Sequence, residues 1–328
     1  MREKPDYTAL KEEINALKKE KKAVILAHYY QEEAIQDVAD YVGDSLGLSI
    51  QAAKAKADII LFSGVYFMAE TAKILNPSKK VLVPDLNAGC SLSQSCPPEA
   101  FKEFISKHPG HVVVSYINCS AEVKAMSDII CTSSNAAAII NSIPEDRSIL
   151  FAPDKNLGKY LEKQTGRKLI TWDGACIVHE AFSGDKLIKL MIELPGSKLI
   201  AHPESSEDIL KMARFIGSTS EMINYVKHDN SSRYIVATEA GILHQMRKEA
   251  PYKELIAAPA IEDNACACSE CAFMKVNTLE KVYNSLKNEQ PVVEVQELIM
   301  KRANIALQKM LQLSEQKNSS SSRIIYEN

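Results

Sequence analysis

No apolar run in this chain approaches the roughly 20 residues that a helix needs to cross a bilayer. The opening stretch, residues 1–22, is charged and carries Leu10, Ile14 and Leu17 at helical spacing, without the apolar core of a signal peptide. A cytoplasmic location is therefore expected. There is no excess of charge of either sign: charged residues make up 25% of the 328, and the formal net charge is −3. The electrostatic footprint of a nucleic-acid or membrane-surface binder is missing, so small-molecule partners are expected. Familiar signatures are absent too, among them a Walker loop, a G-x-G-x-x-G following an apolar run, H-E-x-x-H and a serine-nucleophile elbow. Nucleotide and flavin cofactors are not indicated. Without a secretion signal, eight cysteines do not read as a disulfide framework. They read as buried thiols, metal ligands or nucleophiles.

What the chain does have is one pattern three times over. In residues 112–176 an apolar run ends on the polar residues Tyr116 and Asn118, and seventeen residues past Tyr116 comes Ser133, before a helical run at 135–143. Apolar runs at 149–151 and 169–171 follow, and Cys176 closes the unit. The same order runs from His28 through Ser45 to Cys90, and from His202 through Thr219 to the group Cys266, Cys268 and Cys271. Each hydroxyl again lies seventeen residues past its histidine, and the fourth apolar run is centred 54 residues past the anchor every time, on Leu82, Ile170 and Ile256. A period near 87 residues is too long for a solenoid unit and predicts three homologous small domains. Each brings a polar strand end, a helix-mouth hydroxyl and a cysteine to a common place, as a three-way interfacial site requires.

Within each unit, short β-branched runs alternate with helical stretches. The first reads as strands 23–28, 41–42, 59–62 and 81–83, the second as 112–116, 129–131, 149–152 and 169–171, the third as 198–201, 214–216, 234–237 and 255–258. The alternation predicts an α/β fold of parallel four-stranded sheets with helices on both faces, arranged as three α/β/α domains about a pseudo-three-fold axis. Boundaries read as 1–86, 87–173 and 174–274, with helices in 275–315 docked on the first domain and a disordered tail at 316–328. Ligands of open α/β sheets sit beyond the carboxyl ends of the strands. That rule puts His28, Tyr116, Asn118, His202 and Glu204 at strand mouths, with Asp85, Asp154 and Glu239 as recurring acids that suit capping or interdomain hydrogen bonding at least as well as catalysis.

A buried cysteine usually needs no special account, and Cys119 and Cys131 fit that reading. Cys90, Cys176 and one of Cys266, Cys268 or Cys271 do not, because they recur 62, 60 and 64–69 residues past their anchors beside Gly, Ser and Asp. Three thiolates at a three-fold axis suit an iron–sulfur cube, whereas a closed zinc site wants a fourth ligand. A cube held by three cysteines leaves one iron free to act as a Lewis acid. The Cys268/Cys271 spacing alone also fits a zinc knuckle or a redox pair. A single Ser or Thr before a helix is an N-cap; Ser45, Ser133 and Thr219 at identical spacing place three helix N-termini around one point, suited to a phosphate or carboxylates. Glu204 beside His202 is the candidate general acid/base, with Tyr30 and Tyr116 close by and His179 three residues past Cys176. His108, His111, His228 and His244 lie outside the equivalent positions.

These motifs resemble the quinolinate synthase family. The resemblance rests on His28-Tyr29-Tyr30-Gln31, Ala88-Gly89-Cys90-Ser91-Leu92, Tyr116-Ile117-Asn118, Thr132-Ser133-Ser134-Asn135, Gly174-Ala175-Cys176-Ile177-Val178-His179, His202-Pro203-Glu204 and Thr238-Glu239-Ala240-Gly241, and spans residues 23–285. It implies a [4Fe–4S] cluster ligated by Cys90, Cys176 and Cys271. It further implies condensation of iminosuccinate (iminoaspartate) with dihydroxyacetone phosphate to quinolinate, phosphate and water in NAD biosynthesis. Supply of iminosuccinate by L-aspartate oxidase or aspartate dehydrogenase would follow. Substrate contacts carry over to His28, Ser45, Tyr116, Asn118, Ser133, His179, His202, Glu204 and Thr219, and catalytic roles to Glu204, His202, Tyr30 and Tyr116. The chain departs from many members at Ala272, where proline follows the cysteine. Another cluster-dependent hydro-lyase, or a non-enzymatic iron–sulfur or zinc sensor, are the alternatives that the three cysteines alone leave open.

Overall fold

The computed structural model of the chain describes residues 6–261 and 269–321. Three four-stranded sheets, all parallel, are laid down in succession. The first holds β1 (Ala23–His28), β2 (Tyr41–Gly43), β3 (Ile59–Ser63) and β4 (Lys80–Leu82). The second holds β5 (Val112–Tyr116), β6 (Ile129–Cys131), β7 (Ile149–Ala152) and β8 (Leu169–Thr171). The third holds β9 (Lys198–Ala201), β10 (Phe215–Ile216), β11 (Arg233–Ala237) and β12 (Glu254–Ala257). Their spatial orders are β2-β1-β3-β4, β6-β5-β7-β8 and β10-β9-β11-β12, one topology used three times. Central strands such as β3 and β7 are buried along their whole length, which is why they read as continuous apolar runs without alternation.

Register makes the repeat geometric as well as topological. Ala27 pairs with Ser63, Ser115 with Ala152 and Ala201 with Ala237. His28, Tyr116 and His202 are the next residue in each case, so the three anchors occupy one equivalent place.

Two helices that the sequence reading left out, Pro98–Ser106 and Gly184–Glu193, precede β5 and β9 just as Thr8–Glu20 precedes β1. The opening helix thus belongs to the repeat. Its signal was present: Phe101, Phe104 and Ile105 pack into one core, and Leu187, Leu190 and Met191 into another, at i, i+3 and i+4 spacing.

The C-terminal helices need a correction. Leu279–Asn288 does pack on Thr8–Glu20 and β3, but Glu297–Ser321 lies chiefly against Ala121–Ala125 and β6 of the second unit, reaching Tyr66–Leu75 of the first. Asn135 Nδ2 donates to Ser314 Oγ across that contact at 2.9 Å. Ala303, Ala306, Leu307 and Met310 enter a core shared by the first and second units, through Phe62 on one side and Phe151 on the other. A stripe of that width docks wherever two faces offer a groove, and here the groove straddles a seam. This helix runs to Ser321, into the stretch from 316 expected to be a disordered tail, and residues 322–328 lie outside the described residues.

Candidate active site

A pocket lies where the strand mouths of all three units meet. All thirteen residues singled out for ligation, substrate contact or catalysis line it, from His28, Tyr30 and Ser45 to Thr219 and Cys271. Val65, Phe67, Met68 and Met274 supply an apolar wall that no motif had placed there.

The cysteines arrive by one backbone device. Three residues past the end of the third strand of each unit, an amide donates to the carbonyl two residues before the cysteine. The pairs are Tyr66 N to Ala88 O at 2.6 Å, Lys155 N to Gly174 O at 2.8 Å and Ala240 N to Ser269 O at 2.9 Å. Cys90, Cys176 and Cys271 then each begin a one-turn helix, at Ser91–Gln94, Ile177–Glu180 and Ala272–Lys275. Backbone N–H groups of these turns donate to the sulfurs, from Ser93 and Leu92 to Cys90, from His179 to Cys176, and from Met274 and Phe273 to Cys271. Burial pushes the thiol of Cys90 up to about 12 and raises those of Cys176 and Cys271; Cys90 also feels the charge of Cys271, Cys176 those of Cys90 and Cys271, and Cys271 that of Glu239. A bound cation reverses that preference, since ligation takes the thiolate. Three converging sulfurs, each met by backbone donors, fit a metal centre with three cysteine ligands. Cys266 and Cys268 lie outside the described residues.

A second set of potential ligands overlaps the first. Donor atoms of Cys176, His179 and Glu204 lie within 4.8 Å of one another. Glu204 is the centre of this set. Its Oε2 is 3.0 Å from His179 Nδ1 and 3.3 Å from His202 Nδ1, and its Oε1 accepts from Asn118 Nδ2 at 3.3 Å. Burial works to raise the Glu204 carboxyl, yet the adjacent imidazoles, His179 foremost, outweigh it and hold the group well below the usual carboxylate range. Asp154 goes the other way: burial first, then the Glu204 charge, drive it well above its ordinary value. Two neighbouring acids are thus split into an anion and a neutral carboxyl, the pattern by which acid and base roles are told apart.

Burial lowers His28 to about 3, with His202 adding to the effect, so His28 faces the pocket as a neutral ring. Its Nδ1 accepts the Tyr30 amide at 3.2 Å, which leaves Nε2 as the donor. His202 is lowered too, by burial, and its Nε2 lies 3.2 Å from Ser133 Oγ. Tyr30 and Tyr116 are raised well above the ordinary phenol value by burial and by Glu204, so both stay protonated donors. Tyr30 OH meets Thr238 Oγ1 at 2.6 Å, and His179 Nε2 meets the same oxygen at 3.0 Å.

The hydroxyls required a correction. Ser45 and Thr219 are the first helical residues; the caps are Asp44, accepting from Gly47 N, and Ser218, in a capping box with Glu221. Ser133 lies two residues before Asn135, the N-cap of Ala136–Ser142. The usual structural duty of a hydroxyl at a helix start is therefore discharged by neighbours. Of the recurring acids, Asp85 pairs with Lys281 at 2.6 Å and Asp154 caps Lys155–Thr165, while Glu239 lines the pocket. Thr238 and Lys275 are polar residues that sequence reasoning left without a role, and Glu239 was read only as one of the recurring acids; the Thr238-Glu239-Ala240-Gly241 motif was the available signal.

The sequence model of the family described as Quinolinate synthetase A protein matches residues 12–312. The chain is 59% identical over 302 residues to the quinolinate synthase of Gloeothece citriformis, covering 92% of this chain and 93% of that one. It is 58% identical over 301 residues to that of Rippkaea orientalis, with 92% of each covered, and 55% identical over 311 residues to that of Cyanophora paradoxa, covering 95% and 94%. With so much of its length matched, the chain belongs to the quinolinate synthetase A family.

Proposed function

We propose that this enzyme is a cytoplasmic transferase that condenses iminosuccinate (iminoaspartate) with dihydroxyacetone phosphate to give quinolinate, phosphate and water in de novo NAD biosynthesis. The observation that carries the reading is the meeting of Cys90, Cys176 and Cys271 on one pocket whose remaining wall is the Glu204 network. These three thiolates would hold a [4Fe–4S] cluster. When bound, it supplies an iron without a protein ligand, a Lewis acid for a substrate carboxylate or hydroxyl. Residues 1–86, 87–173 and 174–274 are read as homologous domains that close around it.

The polypeptide's share of the chemistry is binding and proton traffic. Ser45 and Thr219 present hydroxyls at helix starts, where free amides and the positive dipole end favour phosphate and carboxylate, and Ser133 adds a third from the turn before Ala136–Ser142. His28, as a neutral Nε2–H donor, and Asn118 orient the diacid. Glu204, ionised and braced by His179 and His202, accepts a proton as the nitrogen–carbon bond forms. Tyr30 and Tyr116, protonated, donate toward departing oxygen during phosphate loss, ring closure and dehydration. The apolar wall of Val65, Phe67 and Met68 excludes water from an imine that water would hydrolyse. The same lability favours supply of iminosuccinate at short range by L-aspartate oxidase or aspartate dehydrogenase.

The rival reading is a single ion, such as zinc, on Cys176, His179 and Glu204. Anaerobic purification and reconstitution separate the two. The cluster reading expects a brown protein with matched iron and sulfide that forms quinolinate from the two substrates, and loss of colour in Cys90→Ala. Zinc as the tightly held metal, with colour and turnover indifferent to Cys90, would overturn it.

A further inference from the structure

The third cysteine reaches the pocket by a longer path than the others. Cys90 lies 8 residues past Leu82 and Cys176 lies 5 past Thr171, the ends of β4 and β8, whereas Cys271 lies 14 past Ala257 at the end of β12. A longer tether fixes its end less well and calls for a second anchor.

Glu239 is placed to provide one. It is 1% exposed, two residues past β11. Its Oε1 accepts the Cys271 N–H at 3.2 Å, and its Oε2 accepts the Gly241 N–H at 2.7 Å. Lys275, on the turn that Cys271 opens, lies 3.0 Å from Oε1 and donates to the Tyr30 carbonyl at 2.9 Å. A Cβ on Gly241 would fall 2.9 Å from the Tyr30 backbone, so first-unit and third-unit chains touch here with no room for a side chain. The equivalent position in the second unit, Asp154, spends its Oδ1 on the Leu157 amide instead, and in the first unit it is Val65. The clamp is particular to the third unit.

We propose that Glu239 is a positioning residue for the metal centre: it fixes the Cys271 amide and, through Lys275, the Tyr30 carbonyl, so that the third thiol and the first unit's strand mouth keep one mutual register. This rests on Cys271 being a cluster ligand. Partners one shell out from a ligand typically change metal affinity by about 10- to 100-fold when removed.

The test uses full-length enzyme reconstituted anaerobically. Resistance of the iron to a chelator and the EPR line shape after reduction are compared for wild type, Glu239→Ala and Glu239→Gln. Glu239→Ala is expected to lose iron about 10- to 100-fold more readily and to show shifted g-values. Glu239→Gln, whose carboxamide oxygen still accepts the Cys271 N–H, is expected to recover iron retention. An Ala variant with wild-type retention and line shape overturns the proposal, as do Ala and Gln variants depleted alike. If circular dichroism finds Glu239→Ala unfolded, Glu239→Asp replaces it. One methylene shorter, it withdraws the acceptor from Cys271, and retention equal to that of Glu239→Gln overturns the clamp. Wild-type protein that takes up no iron overturns the cluster reading itself, and this proposal with it.

Discussion

The first and third strand mouths are built alike and charged differently. In both, a histidine follows the last residue paired with the unit's third strand, and the amide two residues on approaches its Nδ1, at 3.2 Å from Tyr30 N to His28 and 3.4 Å from Glu204 N to His202. In the first unit that second residue is a protonated phenol; in the third it is a carboxylate gripped by His179 and His202. The second unit offers Tyr116 and Asn118 at the same places, and Asn118 donates to the third unit's carboxylate. The fold repeats the geometry, and single substitutions on it divide the chemistry. The seams follow suit: the first and second units share one large core that Met274 also enters, while the third unit's cores take from the first only Tyr29 and Tyr30 at their edge.

The sharpest way to break this comparison is to make the third mouth neutral like the first. Glu204→Gln is expected to lower kcat by about 10²- to 10⁴-fold, as loss of a general base does, with iron content unchanged. Full turnover in a cluster-replete variant would remove Glu204 from that role.

The seams differ in their response to pH. Glu70, on Tyr66–Leu75 of the first unit, accepts the Ala121 amide of the second at 3.1 Å, and burial pushes its carboxyl up from 4.5 to about 7 despite Lys124. The folded state therefore holds a proton between pH 4.5 and about 7 that the unfolded chain has released. Stability is expected to fall as pH rises through that window, by about 3 kcal/mol from this group. Urea midpoints at pH 5 and pH 8 should differ less in Glu70→Gln than in wild type. At the seam of first and third units, Asp37 pairs with Lys11, His244 and Lys248 near the surface, and that pairing should weaken with salt.

A smaller effect is expected at the neutral mouth. Tyr30→Phe removes one of two phenol donors together with its bond to Thr238 Oγ1, and with Tyr116 still in place kcat is expected to fall by about 10²-fold, the low end for a proton donor. A loss as large as that of Glu204→Gln would erase the distinction between the mouths. The smallest effect tests the caps: Ser218→Ala should cost about 1 kcal/mol in thermal unfolding. Asp44→Ala should cost more, because Asp44 also accepts the Ser134 hydroxyl from the second unit at 2.9 Å.

Much of the site was legible because local patterns carry it. Strands buried on both faces read as apolar runs, and their register forces a fixed count of residues from anchor to hydroxyl to cysteine. His108, His111, His228 and His244 fell outside that count, and His244 indeed serves the Asp37 pairing while His111 Nδ1 contacts the His108 carbonyl. Glu239 was legible as a recurring acid but its partners were not, and Lys275 was not legible at all, since their meaning lies in contacts with Cys271 and Tyr30, and Tyr30 is more than two hundred positions from Lys275 in the chain.

The sequence by itself determined the three-fold repeat, the parallel sheets and the residues at each strand mouth, because periodicity and strand-end position are properties of consecutive residues. Only the tertiary structure decided which carboxylate is an anion, how Cys271 is clamped, and that Glu297–Ser321 lies across a seam. Those depend on burial and on groups brought together from separate units, and neither quantity exists until the chain has closed on itself.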